Sequence, residues 1–325
     1  MTDTIDIPAS LELLDIAGNG MACERFLWIR GLSDPTLAPK QRIDLIDDLQ
    51  RYPGELLHIA SRDGSLAAMA HTISDESGAG SCYLTIHSRS DPGEPVLGDL
   101  VRLASDRARI GGVPRVRCGD SEDRPHIDAL RERHGFVEHE RWRRFHVTTE
   151  TAPEIARMTP GAMPDDVRVA TLAARPGLAE AAFRVYTEGF EDTLGDFPRP
   201  EETLEQWLSE HDSSPVLARD LVMLLLDDDD QVLALVELER LAMGSDRAWV
   251  EFLTVARDHR GRGLGKLATR VAVEHARELR IQRLQTMNNA ANEAICALNQ
   301  QLGWTEDPVR IALQLTLDDE YVTPG

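Results

Sequence analysis

The sequence predicts a mixed α/β fold that occurs twice in the chain. Three observations predict it: the 325 residues exceed one typical domain, hydrophobic residues make up 42% of them, and similar apolar segments recur in the same order in both halves. Each half reads as a strand, two helices, a hairpin, a strand, a loop, a long helix, a strand, a helix and a last strand. This order indicates a mixed sheet covered by helices.

The boundary between the two copies is expected at a proline-containing stretch without hydrophobic period. Residues 149–166 contain three prolines and no such period. We therefore expect an N-terminal domain at residues 1–150, a linker at 151–166 and a C-terminal domain at 167–325.

In the C-terminal half, hydrophobic patterning predicts each element in turn. A strand at 167–172 precedes a helix that opens at Pro176, because proline is preorganised for a first helical turn. Four consecutive aspartates, Asp227–Asp230, are interpreted as a solvated turn between two strands. The other predicted elements are a helix from about residue 200, strands at 221–226, 232–241 and 248–255, a helix from 264, a strand at 283–288, a helix at 291–301 and a last strand at 309–317.

The N-terminal half follows the same order. Its hairpin is expected across Arg62-Asp63-Gly64, a sequence typical of a tight turn between two strands. The predicted elements are a strand at 11–17, helices at 20–31 and 38–50, strands at 55–61, 65–74 and 82–88, a helix at 96–110, a strand at 115–120, a helix at 126–136 and a strand at 141–147.

Charge and composition exclude several classes of partner. The formal net charge of −21 disfavours nucleic acid and anionic membranes, since both need a basic surface, and favours a cationic small molecule. The four cysteines are widely spaced without a C-x-x-C pair, and no histidine spacing suggests a metal site. The acidic start of the chain and the lack of a long apolar run predict a cytoplasmic protein. We expect a monomer or a homodimer.

A glycine-rich loop ahead of the helix from residue 264 is the strongest functional signal. Glycines let main-chain N–H groups approach an anion, and the helix start adds unpaired N–H groups and a positive dipole end. Basic side chains are otherwise disfavoured at a helix start, so their presence indicates an anionic ligand. The segment reads Arg260-Gly261-Arg262-Gly263-Leu264-Gly265-Lys266.

Other glycine loops fail on spacing, because a Walker loop needs four residues between its first glycine and Gly-Lys, and the dinucleotide pattern needs its third glycine one residue later. A basic surface turn before a helix remains the alternative for this segment. It requires no ligand.

The loop resembles the signature of the GNAT superfamily of N-acyltransferases, which is met by Arg260, Gly263 and Gly265. The residues of the preceding strand match the strand that binds the pantetheine arm in this family. Asn292 begins a second motif, which ends in an aromatic residue. The resemblance implies acetyl-CoA as cosubstrate, held by the loop residues 260–266, by Asn292, and by the strand Leu253-Thr254-Val255. The resemblance is specific in the region from about Ala248 to Trp304.

Two such domains in one chain resemble the arrangement in the mycothiol synthases, where the C-terminal domain is the competent one. In the N-terminal half, His134-Gly135-Phe136 matches the end of the second motif. Its loop, however, carries Pro92 and Pro95, which remove two N–H donors, and Arg124 stands where the motif asparagine is expected. We expect this domain to be degenerate as a CoA site.

Amide formation requires a neutral amine, so a general base is expected. Alternation along the strand puts Glu251 on the same side as Leu253 and Val255, which makes it the candidate base. Glu237 and Glu239 on the preceding strand are the rivals. A structural salt bridge is the alternative for each of the three.

The resemblance also implies a tyrosine acid for the leaving thiolate, but Asn299 occupies that position, and an amide cannot act as an acid. The acceptor is expected over the first two helices of the C-terminal half. There Glu188, Glu191, Asp192 and Asp196 either attract the amine or form a solvated loop.

We therefore expect an acetyl-CoA-dependent N-acetyltransferase that acts on a small amine by direct transfer. A non-catalytic acyl-CoA sensor and a structural tandem module are the alternatives. The sequence does not identify the amine.

Overall fold

The computed structural model describes residues 7–14, 56–63, 66–73, 80–88, 92–151, 166–193, 202–241 and 243–317. The two helices predicted at 20–31 and 38–50, and most of the predicted linker, lie outside these residues. None of the helices in the described part of the chain is both long and apolar enough to cross a membrane.

The described elements follow the predicted order in both halves, with β12 as an addition that was not predicted. Those up to residue 148 are β1 (Leu11–Leu13), β2 (Leu56–Ser61), β3 (Leu66–Ile73), β4 (Ser81–Ser88), α1 (Glu94–Ile110), β5 (Arg115–Ser121), α2 (Pro125–Arg133) and β6 (Val137–Thr148). The later elements are β7 (Arg168–Thr171), α3 (Ala179–Glu191), α4 (Leu204–Ser213), β8 (Val222–Leu226), β9 (Val232–Arg240), β10 (Arg247–Val255), α5 (Leu264–Glu278), β11 (Arg283–Asn289), α6 (Glu293–Gln301), β12 (Thr305–Glu306) and β13 (Arg310–Thr316).

The chain folds into two compact units, Met1–Trp142 with Pro308–Gly325 and Arg143–Asp307, called unit 1 and unit 2 below. In unit 1 the strand order is β1-β2-β3-β4-β5-β13, followed by the first half of β6. β4 and β5 are parallel, while β13 is antiparallel to both β5 and β6. The apolar face of α1, with Leu97, Leu100 and Leu103 fully buried, contributes to the core of this unit.

In unit 2 the second half of β6 is followed by β11, β10, β9, β8 and β7 in the sheet. Apolar residues bury both faces of this sheet. A larger core includes α5 residues such as Ala268 and Ala272, and a second core includes Trp207 of α4 and Ala182 of α3. β8 is buried along its whole length, as expected for a strand covered on both faces.

The units divide the chain differently from the boundaries expected from the sequence at residues 150 and 166. The final strand, β13, groups with unit 1, and residues 143–150 group with unit 2. The last strand of the second half therefore joins the earlier strands of the first half, and the second half of β6 joins the strands of unit 2. Either strand can pair at this position, because the main-chain hydrogen bonds between strands do not depend on which half of the chain provides the strand.

Candidate functional site

The glycine loop of unit 2 is a tight turn that leads into α5. A 3-10 turn at Arg257–His259 precedes it, and Gly261 and Gly263 adopt φ values of 76° and 78°. Such positive φ values are strained for residues with a side chain. Gly263 is the N-cap, and the buried Leu264 anchors the first helical residue in the core. The two glycines are therefore required by the backbone path of the turn itself.

The start of α5 has the features of an anion site. The first intrahelical bond runs from the Leu267 N–H to the Gly263 oxygen, 3.3 Å apart, so the earlier N–H groups of the helix have no helical acceptor. A methyl group at Gly261 or Gly263 would have no atom within 4 Å, and one at Gly265 would lie 3.7 Å from Leu298 Cδ2. The space beside these glycines is open, and the residues fit a bound pyrophosphate.

The basic side chains of the loop differ in the groups that they contact. Arg260 donates from Nε to the Val255 oxygen at 3.0 Å and from Nη2 to Asp192 Oδ2 at 2.7 Å. Arg262 contacts His259 Nδ1 at 2.9 Å and Asp166 at 3.4 Å. Lys266 is exposed. Arg260 thus ties the loop to the end of α3.

The acids at the end of α3 pair with arginines. Arg257 Nη2 lies 2.8 Å from Glu191 and 2.9 Å from Asp192. Hydrogen bonds from Arg257, then from Arg260, lower the pKa of Asp192 to about 2. Glu188 accepts from the Arg257 N–H at 3.4 Å. These contacts favour the structural interpretation of Glu191 and Asp192 over amine attraction, and the fourth predicted acid, Asp196, lies outside the described residues.

Strands β10 and β11 separate beside this loop. They pair in parallel only over Arg247–Trp249 and Arg283–Gln285. A bulge between Val250 and Phe252 then interrupts the β10 register, and residues 252–255 continue to pair with β9 alone. In the described part of the chain, the edge of β10 that carries Leu253, Thr254 and Val255 consequently has no strand partner on the β11 side, although the Val255 oxygen accepts from Arg260 Nε. An extended ligand arm would bind there by main-chain hydrogen bonds.

The bulge also changes the position of Glu251. Val250 and Leu253 both pack on the core that contains α5, although they are three residues apart, and Phe252 packs on the core that contains α3 and α4. The strict alternation on which the sequence argument placed Glu251 beside Leu253 and Val255 is therefore interrupted. A bulged residue leaves the ladder, and its side chain is re-aimed.

The Glu251 side chain opens to solvent at this bulge. Even so, the surrounding protein atoms desolvate its carboxylate, and this raises its pKa, with further increases from the negative charges of Glu237 and Glu210. A carboxylate with a raised pKa is a stronger base than an ordinary one. Among the described residues it has no arginine or lysine partner.

A buried polar group of α4 and β9 went unrecognised in the sequence. Glu237 is 4% exposed and accepts a hydrogen bond from Trp207 Nε1 at 3.0 Å, and His211 Nε2 lies 3.5 Å from the same carboxylate oxygen. The sequence analysis named Glu237 as a rival base but did not connect it with Trp207 or His211. The available signal was one acid in an otherwise apolar run, VLALVEL.

Aromatic side chains surround this group. The Tyr186 ring lies 5.1 Å from that of Phe252 and 5.7 Å from that of Trp207, and Phe190 lies 6.1 Å from Phe252. Burial, then the charges of Glu237 and Glu202, raise the pKa of Tyr186 well above its usual range. Its hydroxyl therefore stays protonated at neutral pH.

The two asparagines of α6 have structural contacts. Asn292 is the N-cap, and its side chain accepts from the Ile295 N–H at 3.4 Å. Asn299 is 3% exposed and donates from Nδ2 to Asn288 Oδ1 at 2.9 Å. The position expected to carry an acidic hydroxyl is thus filled by a buried amide pair.

The corresponding helix start in unit 1 carries its own anion. Helix α1 begins at Glu94 and Pro95 after Gly93. The Glu94 carboxylate contacts Arg133 Nη1 at 2.9 Å and His134 Nε2 at 3.2 Å. A carboxylate at this helix start disfavours a second anion there, and the degeneracy of this half as a CoA site stays a prediction.

Residues 181–304 match the sequence model of the acetyltransferase (GNAT) family. No curated protein sequence matches the chain.

Among solved structures, a GCN5-related N-acetyltransferase from Sphaerobacter thermophilus aligns with a TM-score of 0.69 and 18% identity over 98% of this chain and 100% of its own. A tandem GNAT protein from the clavulanic acid biosynthesis pathway aligns with a TM-score of 0.70 and 17% identity over 97% and 99%. Residues 181–304 therefore match the GNAT acetyltransferase family model, and the chain as a whole has the fold of a tandem GNAT protein.

Proposed function

We propose that this protein transfers an acetyl group from acetyl-CoA directly to the amine of a small cationic acceptor. One observation carries the proposal: the open start of α5 lies beside the unpaired edge of β10, and the carboxylate of Glu251 stands at the bulge of the same strand. An anion site, a main-chain docking edge and a base on neighbouring elements are the parts that acyl transfer to an amine requires.

The residues that would hold acetyl-CoA follow from the loop and the strand. The N–H groups of residues 261–266 would bind the pyrophosphate, with Lys266 and Arg262 supplying positive charge. Main-chain groups of Leu253, Thr254 and Val255 would hold the pantetheine arm. When bound, acetyl-CoA supplies the acyl group as a thioester.

The acceptor must lose a proton before it reacts. An alkylamine with a pKa near 10.4 is neutral in only about one molecule in a few thousand at pH 7, a deficit of roughly 4 to 5 kcal/mol. Glu251 is the proposed base, because its raised pKa brings its proton affinity closer to that of the amine. Glu237 is buried and already bonded to Trp207, so it is less suited to meet the amine directly.

The acceptor class rests on charge. The net charge of −21 and the carboxylates Glu251, Glu237, Glu202 and Glu210, which lack arginine or lysine partners among the described residues, attract cations. Polyamines, aminoglycosides, amino acids, peptides and the amine precursor of mycothiol all belong to the acceptors to be compared.

The two alternatives are separated by two measurements. Calorimetry with acetyl-CoA distinguishes a structural tandem module, which gives no binding heat, from an enzyme or a sensor. Release of the CoA thiol in the presence of an amine panel then distinguishes the enzyme from the sensor, which binds without turnover.

The role of Glu251 is tested with Glu251→Gln. We expect turnover to fall by about 10² to 10⁴ with little change in acetyl-CoA affinity, the usual range for the loss of a general base. The deficit should shrink at high pH, because an amine that is already neutral needs no base. Glu278→Gln, the same change at the far end of α5 on a largely exposed residue, is the matched control. A loss in Glu251→Gln that does not depend on pH would assign Glu251 a structural role instead.

A further inference from the structure

The contacts of His211 determine which of its nitrogens titrates. Nδ1 lies 2.7 Å from the Trp207 carbonyl oxygen. A carbonyl oxygen only accepts hydrogen bonds, so Nδ1 must carry a proton. Nε2 is therefore the position that gains or loses one, and it points at Glu237 Oε1 at 3.5 Å.

Burial favours the state in which the pair shares one proton. The two side chains are only 3% and 6% exposed. Without a proton on Nε2, a buried lone pair would face a buried carboxylate, which is unfavourable. With one proton, the pair is either an imidazolium beside a carboxylate or an imidazole beside a carboxylic acid, and its net charge is zero in both cases.

Several other groups face this pair. Glu210 is on the same helix, Glu202 precedes it, Tyr186 is on α3 and Glu251 is on β10, and the charges of these groups and of the pair influence one another. The nearby carboxylates, Glu237 first, outweigh burial and raise the pKa of His211. His211 is the one cation that the described residues place among these carboxylates.

Glu251 and Glu237 are close in the sheet. Phe252, the neighbour of Glu251, is the residue that pairs with Glu237 across β9 and β10. The charge on the buried pair therefore acts on the exposed carboxylate at the bulge.

We propose that His211 is a positioning residue that acts through Glu237. The buried pair binds or releases one proton and thereby determines how much negative charge lies near Glu251 and near the incoming cation. When the pair is protonated, Glu237 is neutralised and Glu251 is a weaker base. When it loses the proton, the uncompensated charge makes Glu251 a stronger base and attracts the cationic acceptor more strongly. This inference rests on the proposed function through the role of Glu251.

The first test needs no acyl transfer. The carboxyl carbon of Glu251, assigned with Glu251→Gln in ¹³C-glutamate-labelled protein, is titrated by NMR in four proteins. In His211→Gln the positive charge is lost and the midpoint of Glu251 should rise by roughly 0.5 to 1 pH unit; in Glu237→Gln a negative charge is lost and the midpoint should fall. His275→Gln is the matched control, because His275 of α5 also contacts a backbone oxygen and a carboxylate. In this variant the midpoint of Glu251 should equal that of the wild type.

The two opposite shifts identify an electrostatic role, because a general disturbance of packing does not change sign between the variants. Unchanged midpoints, or shifts in the same direction, would overturn the proposal. Should His211→Gln not fold, the titration of His211 itself is measured in the wild type and in Glu237→Gln. The His211 midpoint must lie above 6.5 in the wild type and must be lower in Glu237→Gln.

The second test uses the enzyme. In the wild type, log kcat/KM for the amine should rise through the His211 midpoint measured by NMR. In His211→Gln that rise should be absent, while the rise from ionisation of the amine itself remains. The same two-step profile in both proteins would refute the role of His211. Failure to find any amine acceptor would instead count against the proposed function, and the NMR titrations would still decide whether the pair controls Glu251.

Discussion

Replacement of Gly189 by alanine should destabilise unit 2, although alanine favours helices. Gly189 lies in α3, and a Cβ at this position would lie 2.2 Å from Oγ1, 2.5 Å from Cβ and 2.9 Å from Cγ2 of Thr254 on β10. Rotation of the threonine moves Oγ1 and Cγ2, but its Cβ is fixed to the strand. The helix must therefore move away from the sheet by about 1 Å to restore van der Waals contact.

The size of the effect follows from two opposed contributions. Glycine to alanine inside a helix gains about 1 kcal/mol of intrinsic propensity. Overpacking of a close contact costs typically about 1 to 3 kcal/mol, and more where backbone must shift. Because Val185 and Ala182 of the same helix are buried in the core, the shift also loosens their packing. We expect a net loss of about 1 to 2 kcal/mol.

Urea unfolding followed by tryptophan fluorescence measures this loss, with Gly177→Ala as the control. A Cβ at Gly177 meets no atom within 4 Å, so this variant should remain within about 0.5 kcal/mol of the wild type. Adding Thr254→Ala to Gly189→Ala removes Oγ1 and Cγ2 but leaves Cβ, and should restore only part of the stability. Wild-type stability of Gly189→Ala would contradict the close approach of α3 to Thr254.

Three further predictions concern the loop and the charges around it. Gly265→Ala should keep or slightly raise stability, because its Cβ would make an ordinary 3.7 Å contact, but it should weaken acetyl-CoA binding in calorimetry. Gly265→Asp should weaken acetyl-CoA binding further. Unchanged affinity in both variants would remove the loop from the proposed site. Calorimetry should give one strong acetyl-CoA site per chain, because Glu94 occupies the other helix start; two equally tight sites would contradict this. The pKa of Asp192 is lowered from 3.8 to about 2, so its pairing stabilises the fold above pH 3.8 and this contribution is lost as the pH falls towards 2. The urea midpoints of wild type and Asp192→Asn should therefore converge over that range, and a constant difference would refute the assignment.

Much of the fold was predictable because it rests on local patterns. The helix from Leu264 to Glu278 follows from its apolar row, and the hairpin of β8 and β9 from two apolar runs around an acidic turn. The glycine loop was predictable for a similar reason: positive φ at Gly261 and Gly263 is a requirement that one residue type meets at no steric cost. These features depend on neighbours within a few residues.

Other features required the tertiary structure, because they depend on residues far apart in the chain. The bulge that re-aims Glu251 arises from the register between β9 and β10, which alternation alone does not contain. The joining of His211 and Trp207 with Glu237 depends on how α4 packs on the sheet.

The exchange of last strands is a third such feature. β6 and β13 both pair through main-chain hydrogen bonds, which do not distinguish between the last strands of the two halves. The sequence by itself thus determined the elements, their order and the anion-binding turn, since local sterics and periodicity specify them. The tertiary structure alone decided which strand completes each sheet and which buried charges face the candidate base, since both depend on long-range packing.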